Sequence, residues 1–260
     1  MRTFIPGQTE PALALAASVL KQARKPAALT GAGISVASGI PDFRSPGGLW
    51  SVFSPEEYAT IEVFHQNPAK AWDLYRALGK TLSGKKPNAA HFALAGLEQA
   101  GLLAGIVTQN VDNLHQQAGS ATVFEIHGDH QHLQCLQCGT VLFAEASLYH
   151  AQTGVPRCAH CGFPLKPNVV LFGENVRELE AIHAFIADCD LLMVIGTSTQ
   201  VYPAASLPAI VQSNGGSLFE FNREQVLFSR PGHNGDANDF FFQGDVGRTL
   251  PLLVHACTGQ

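Results

Sequence analysis

The chain has 260 residues, of which 46% are hydrophobic and 14% charged, with six cysteines and a formal net charge of −5. That length can bury one large core with a small inserted module, and the composition excludes a disordered or fibrous protein. The negative balance disfavours a nucleic-acid binder working by phosphate neutralisation and fits a cationic partner such as a lysine-containing peptide.

Residues 1–10 lack a basic stretch followed by an apolar run, so no signal peptide is expected. Leu13 to Ala23 carries apolar residues at helical spacing. Ala27 to Thr30 is a short apolar run ending at Gly31 and reads as a buried strand. Asn88 to Ala100 is an amphipathic helix, with Asn88 as its cap. Strands follow at Gly105 to Thr108 and Val123 to Ile126. Val176 to Cys189 reads as helix, Asp190 to Ile195 as strand, and Ala204 to Asn214 as helix stopped by Gly215-Gly216. Late strands are expected at Ser217 to Phe221 and Asp239 to Gln243. The longest apolar run, Leu191 to Ile195, is strand-sized and far short of a membrane span.

Buried strands alternating with helices imply an α/β fold, a parallel sheet covered on both faces. Two stretches break the rhythm: 47–86, aromatic and helical, and 135–161, cysteine-rich with short turns. Both read as insertions that build a smaller domain. The division expected is 1–46, 87–134 and 165–260 for the large domain, and 47–86 with 135–164 for the small one.

Cys135-x-x-Cys138 and Cys158-x-x-Cys161 are separated by 19 residues. Two such pairs can close a tetrahedron round one zinc, and four thiolates would leave no position open for water, so the metal would be structural. Two disulfides are the alternative, disfavoured in the reducing, cytoplasmic setting expected for this chain. Cys189 and Cys257 stand alone in apolar surroundings and read as core residues.

Leu29-Thr30 runs into Gly31-Ala32-Gly33-Ile34-Ser35. A strand, a glycine turn and a helix start can form an anion site. The third glycine of the usual dinucleotide fingerprint is missing, since Val36 stands there, so a plain strand-to-helix turn stays open. The polar loop Ser38 to Arg44 follows, where Arg44 could clamp a phosphate or ribose and Phe43 could shield a reacting carbon from water.

These segments, with others in the same order, resemble the sirtuins. Gly31 to Ser35 and Ser38 to Arg44 resemble their cofactor loop, and Thr108-Gln109-Asn110-Val111-Asp112-Asn113-Leu114-His115 their second signature. His127-Gly128 resembles the catalytic dyad, and the four cysteines the zinc ribbon. Pro167 to Glu174 resembles the substrate-binding strand, Gly196-Thr197-Ser198 with Val201 and Pro203 the late nucleotide loop, and Asn222-Arg223-Glu224 the ribose-binding turn. The matches run from about residue 10 to about 255.

The resemblance implies a Rossmann-like domain beside a smaller domain of zinc ribbon and helical module, with NAD and acyl-lysine meeting in the cleft. It implies an NAD-dependent protein-lysine deacylase that yields nicotinamide, acyl-ADP-ribose and free lysine. NAD would be held by Gly31, Ala32, Gly33, Ser35, Ile40, Asp42, Phe43, Arg44, Gln109, Gly196, Thr197, Ser198, Asn222, Glu224 and Val246. Asn110 and Asp112 would bind the nicotinamide end, and His127 would act as general base on the ribose hydroxyls. Taken singly, Asp112 is read sooner as a helix cap and Asn110 as a turn residue, while His115, His130 and His132 read as surface or satisfied core residues. Val169, Phe172, Gly173 and Glu174 would meet the peptide as an added strand, the last with backbone and side chain. Ala59 and Tyr75 resemble the acyl pocket of the desuccinylase branch. Leu78, however, stands where that branch has an Arg, and Arg76 lies about 200° round the helix from it, so neutral acyl groups, acetyl and longer, are expected. An ADP-ribosyltransferase or NAD hydrolase, a silent NAD sensor and a zinc-ribbon nucleic-acid binder are the other readings, the last disfavoured by charge.

Overall fold

The computed structural model describes residues 1–42, 47–150, 154–229 and 235–259. In chain order the elements are β1 (Arg2–Phe4), α1 (Glu10–Gln22), β2 (Pro26–Thr30), α2 (Pro55–Tyr58), α3 (Ile61–Gln66), α4 (Pro68–Leu82), α5 (Ala89–Gln99), β3 (Gly105–Thr108), α6 (Leu114–Gln117), β4 (Val123–Glu125), β5 (Gly128–Cys135), β6 (Val141–Phe143), α7 (Ser147–His150), β7 (Leu165–Val169), α8 (Leu179–Ala187), β8 (Leu191–Ile195), α9 (Leu207–Ser213), β9 (Ser217–Asn222), β10 (Phe240–Gln243) and α10 (Val246–Thr258).

Seven strands form one sheet in the order β1-β10-β9-β8-β2-β3-β4, every pairing parallel. The apolar runs are continuous because both faces are covered. Ala28, Met193 and Ile195 enter the core beneath α1, α5 and α10, whereas Ala27, Leu29, Leu192 and Val194 point the other way, onto α8 and α9. From β2 the chain winds outward through β3 and β4, then returns to β8 and winds the opposite way. The sheet therefore has a switch point between β2 and β8, and a crevice opens there at the carboxyl ends of the strands.

A second sheet, β6-β5-β7, is antiparallel. It shares a third apolar core with the helical insertion, in which Trp72 and Tyr75 of α4 pack with Leu133, Cys135, Cys158 and Leu165. The Trp72 indole donates to the Leu165 carbonyl at 2.8 Å and stacks on Tyr149.

Some elements depart from the sequence reading. The turn after β2 is a 3-10 helix, Ala32–Ser38, rather than an α-helix; Gly33, Ser35, Val36 and Ser38 are weak helix formers. The helix expected from Val176 begins at Leu179, because Glu178 adopts a left-handed φ of 52°. Ala204–Ser206 is a 3-10 turn preceding α9, with Pro208 in the first turn of that helix. Elements without a counterpart in that reading include β1, β5, β6, α7 and α10.

Candidate functional site

The crevice is a cavity of about 680 Å³. One wall carries residues from the loops after β2, β3, β8 and β9: Gly31, Ala32, Gly33, Asp42, Gln109, Asn110, Gly196, Thr197, Ser198, Asn222 and Glu224, with Val246 from the start of α10. The opposite wall carries Ala59, Tyr75, Leu78, Val169, Phe172, Gly173 and Glu174, and His127 lines the same cavity. A second cavity of about 250 Å³ adjoins it and is lined by Ser35, Ile40 and Asp112. Leu78 and Asn110 border both. Phe43 and Arg44 lie outside the described residues. Trp50, Tyr202 and Arg223 also line the large cavity. Trp50 falls within the stretch 47–86 expected as a helical insertion, although the Gly47-Gly48 pair before it signals a loop.

The glycines of the first loop serve a contact between loops. A Cβ on Gly33 would stand 2.6 Å from the Gly196 Cα, and one on Gly31 2.8 Å from the Thr197 Cβ. Gly33 N–H donates to the Gly196 carbonyl at 2.8 Å. The absent third glycine is thus no obstacle, because the close approach needed here is between the β2 and β8 loops.

Gln109 spans the same junction, its amide donating to the Thr30 carbonyl at 3.3 Å and to the Thr197 hydroxyl at 2.9 Å. The buried Asn110 amide donates to the Gly31 carbonyl and to Ser35 Oγ, both at 3.2 Å. Ser35 in turn donates to Asp112 Oδ2 at 2.6 Å, while Asp112 Oδ1 accepts from Leu114 N at 3.0 Å. Asp112 therefore joins the start of α6 to the loop after β2, although the N-cap position of α6 is held by Asn113 and not by Asp112. Burial pushes its carboxyl pKa upward, against these two hydrogen bonds, which favour the carboxylate.

His127 Nδ1 lies 3.0 Å from the Gln109 carbonyl. A carbonyl can only accept, so Nδ1 carries the proton and Nε2 keeps a lone pair. Burial holds the ring below the ordinary imidazole range, partly opposed by the Gln109 bond, so it is neutral and basic at pH 7. Its own carbonyl accepts from Val170 N at 2.8 Å, which ties His127 to the opposite wall. Gly128 is obligatory here: at φ 75° a side chain would run into the Asn168 carbonyl.

His115 and His130 are buried, bonded to the Thr30 hydroxyl and the Tyr75 carbonyl, and burial lowers them to about 3 and about 4. His132 pairs with Asp129 at 2.8 Å. Glu125, two residues before His127, is raised to about 7, chiefly by burial.

The Sγ atoms of Cys135, Cys138, Cys158 and Cys161 all lie within 4.8 Å of one another. The closest approaches, Cys135–Cys161 at 3.4 Å and Cys138–Cys158 at 3.6 Å, are far beyond the roughly 2.05 Å of a disulfide. Four sulfurs at about 2.3 Å from a tetrahedral zinc stand about 3.8 Å apart, so the cluster fits that ion. Each knuckle is built alike: Gly139 N–H donates to the Cys135 carbonyl and Gly162 N–H to that of Cys158, with φ 75° at both glycines.

On the opposite wall Ala59, Tyr75 and Leu78 are buried. Arg76 turns away: its guanidinium lies 5.4 Å over the Trp72 ring and within 3.9 Å of Asp73. The Glu174 carboxylate faces inward, accepting from Leu171 N at 2.8 Å and pairing with Lys166 at 3.0 Å. That side chain is committed to the fold rather than free for an added peptide strand.

A parallel sheet with a crevice at its switch point, lined by a neutral histidine and a buried Asn with a half-buried Asp in the adjoining cavity, defines a dinucleotide-using α/β enzyme with a four-cysteine metal module. Residues 31–203 match the Sir2 family. An NAD-dependent protein deacylase of Pyrococcus abyssi is 39% identical, over 92% of this chain and 95% of its own. An NAD-dependent protein deacetylase of Caldivirga maquilingensis is 44% identical, over 94% and 93%. Among solved structures, a Sir2 homologue in complex with NAD superposes with a TM-score of 0.87 at 34% identity, covering 100% of this chain and 96% of that one. The chain belongs to the Sir2 family.

Proposed function

We propose that the protein is an NAD-dependent protein-lysine deacylase, transferring the acyl group of a modified lysine to ADP-ribose and releasing nicotinamide. The observation that carries this reading is the position of His127, a neutral base on the cavity between the loops after β2, β3 and β8 and the pocket of Ala59, Tyr75 and Leu78. Bound NAD supplies an electrophilic ribose carbon with nicotinamide as leaving group. Asn110 and Asp112, held by Ser35, fix the nicotinamide end. Nε2 of His127 takes the proton from a ribose hydroxyl. The remaining cavity residues named above would contact the cofactor, with Phe43 and Arg44 added by resemblance, and the four cysteines would hold structural zinc.

The acyl pocket suits neutral groups. Leu78 offers apolar surface at the junction of the two cavities, Arg76 is engaged elsewhere, and the Glu174 charge raises the Tyr75 hydroxyl pKa further above its ordinary value, on top of burial. Among the described residues, the cation nearest in sequence to Tyr75, Arg76, is engaged over Trp72 and at Asp73, so a dicarboxylic acyl group would bury its carboxylate without its help. Val169, Phe172 and Gly173, and the backbone at Glu174, would take the peptide by strand addition. The partner is an acyl-lysine protein or peptide, with no role for nucleic acid.

The same reading divides the chain at 1–46, 87–134 and 165–260 against 47–86 and 135–164. β5 and β7 form the seam, since their sheet crosses both boundaries. Among the described residues no helix is long and apolar enough to cross a membrane, and reduced, zinc-ready cysteines suit the cytoplasm. Mass spectrometry of an acyl-lysine peptide incubated with and without NAD tests the function. Deacylation that depends on NAD and yields acyl-ADP-ribose is expected; NAD breakdown that ignores the peptide would overturn it.

A further inference from the structure

Lys166 is completely buried, an unusual place for an ammonium. Its three N–H donors meet three acceptors: the Glu174 carboxylate at 3.0 Å, the Pro167 carbonyl at 3.2 Å and the Val169 carbonyl. That saturates a lysine. The same Glu174 carboxylate accepts from Leu171 N at 2.8 Å, and Glu174 N–H donates back to the Leu171 carbonyl at 3.0 Å. One ion pair thus joins the start of the 167–174 segment to its end. The outer edge is pinned separately to the helical insertion, Phe172 N–H donating to the Ala59 carbonyl at 2.9 Å.

We infer that Lys166 is a positioning residue for the acyl-peptide: the Lys166–Glu174 pair sets the backbone course of Val169 to Gly173, the stretch that faces the cavity, without touching NAD. Stability alone does not account for the pair. Burying two charges costs roughly what their attraction returns, and a well-packed apolar replacement is often neutral or better. What an apolar pair cannot do is hold two carbonyls and an amide in one orientation. Burial draws the ammonium down to about 8, with Glu174 opposing that shift, so the lysine is charged at neutral pH.

The inference rests on the peptide-binding reading above, so turnover of an acyl-lysine peptide by the unaltered, zinc-loaded chain is measured first; its absence would defeat that reading and not this one. With turnover established, Lys166→Met and the double variant Lys166→Met/Glu174→Gln are compared. The double variant removes both charges and keeps an acceptor for Leu171 N. The single variant is expected to lose thermal stability, because it strands a buried carboxylate. The double variant is expected to recover most of that loss. Both should raise the peptide KM about tenfold, the scale of one lost charge-assisted hydrogen bond, with the NAD KM within about twofold. If Lys166→Met does not fold, the double variant carries the comparison. A double variant with the original peptide KM would overturn the inference, as would a parallel rise in the NAD KM. So would a double variant that fails to fold, since the pair would then be holding up the domain rather than shaping the segment.

Discussion

Selectivity between acyl groups is the sharpest consequence of the site, and Leu78 is the residue on which to test it. Leu78 is buried and borders both cavities, so an acyl chain longer than acetyl gains apolar contact there. Each buried methylene contributes about 0.8 kcal/mol. Butyryl-lysine, with two more than acetyl, can therefore gain up to about 1.6 kcal/mol, or about fifteenfold in kcat/KM. Succinyl-lysine has a similar length but must bury a carboxylate, and it should be the poorest of the series. Leu78→Arg should invert the order. A charge-assisted hydrogen bond to the distal carboxylate, worth about 1.5–3 kcal/mol, raises succinyl turnover by about 10- to 150-fold over the unaltered protein. Butyryl turnover falls as the apolar surface is lost. The assay is kcat/KM for acetyl-, butyryl-, myristoyl- and succinyl-lysine in one peptide. Succinyl as the best substrate of the unaltered protein would refute the reasoning, which rests on Leu78 being apolar and on Arg76 being engaged over Trp72 and at Asp73.

Replacing His127 by Ala should cut deacylation by about 10²–10⁴ and leave NAD binding, read by calorimetry, close to unchanged. Because burial holds His127 below its ordinary value, kcat/KM should be flat from pH 7 to 8 and fall only below about 6.5; Glu125→Gln should leave that acid limb in place, whereas a limb that vanishes would assign it to Glu125, which is raised to about 7. His91, His115 and His130 are lowered to about 4, 3 and 4 by burial, so the unfolded chain binds more protons and stability should drop as pH falls from about 6.5 towards 4, by up to about 1.4 kcal/mol per pH unit for each; denaturant melts at pH 7 and 5 with equal midpoints would contradict this. Cys158→Ser should lower zinc below one equivalent by metal analysis and cost several kcal/mol of stability. Gly33→Ala should raise the NAD KM and lower Tm together, since the new Cβ would stand 2.6 Å from Gly196.

The strands that run to the crevice were readable because each is a short apolar run bounded by glycine or charge, and the four cysteines because their spacing admits few other uses. Asn88 announced α5 by its chemistry, and its side chain does accept from Ala90 N at 2.9 Å. Other elements gave no local signal. β1 is three residues long and exists only because β10 lies beside it. β5 reads Gly-Asp-His-Gln-His-Leu-Gln-Cys, polar at most positions, and is ordered by its partners and the cysteine knuckle. α10 contains Gly247 and Pro251, both signals against a helix, yet it is held by the buried face of Leu250 and Leu253. At the site, no pattern could show that Gly33 faces Gly196 or that Glu174 turns inward. Those facts depend on which loops meet at the switch point and on a lysine eight residues upstream.

The third core carries a consequence for how metal and specificity are joined. Cys135 and Cys158 sit in the same apolar cluster as Trp72 and Tyr75, so two sulfurs of the four-cysteine cluster help pack the helix that supplies Tyr75 and Leu78 to the proposed acyl pocket. An ion with no seat at the chemistry would act as a keystone for it. Losing the ion should blur the choice between acyl groups before it halts turnover, because α4 would lose its register while the sheet and its NAD crevice stay closed by two cores of their own.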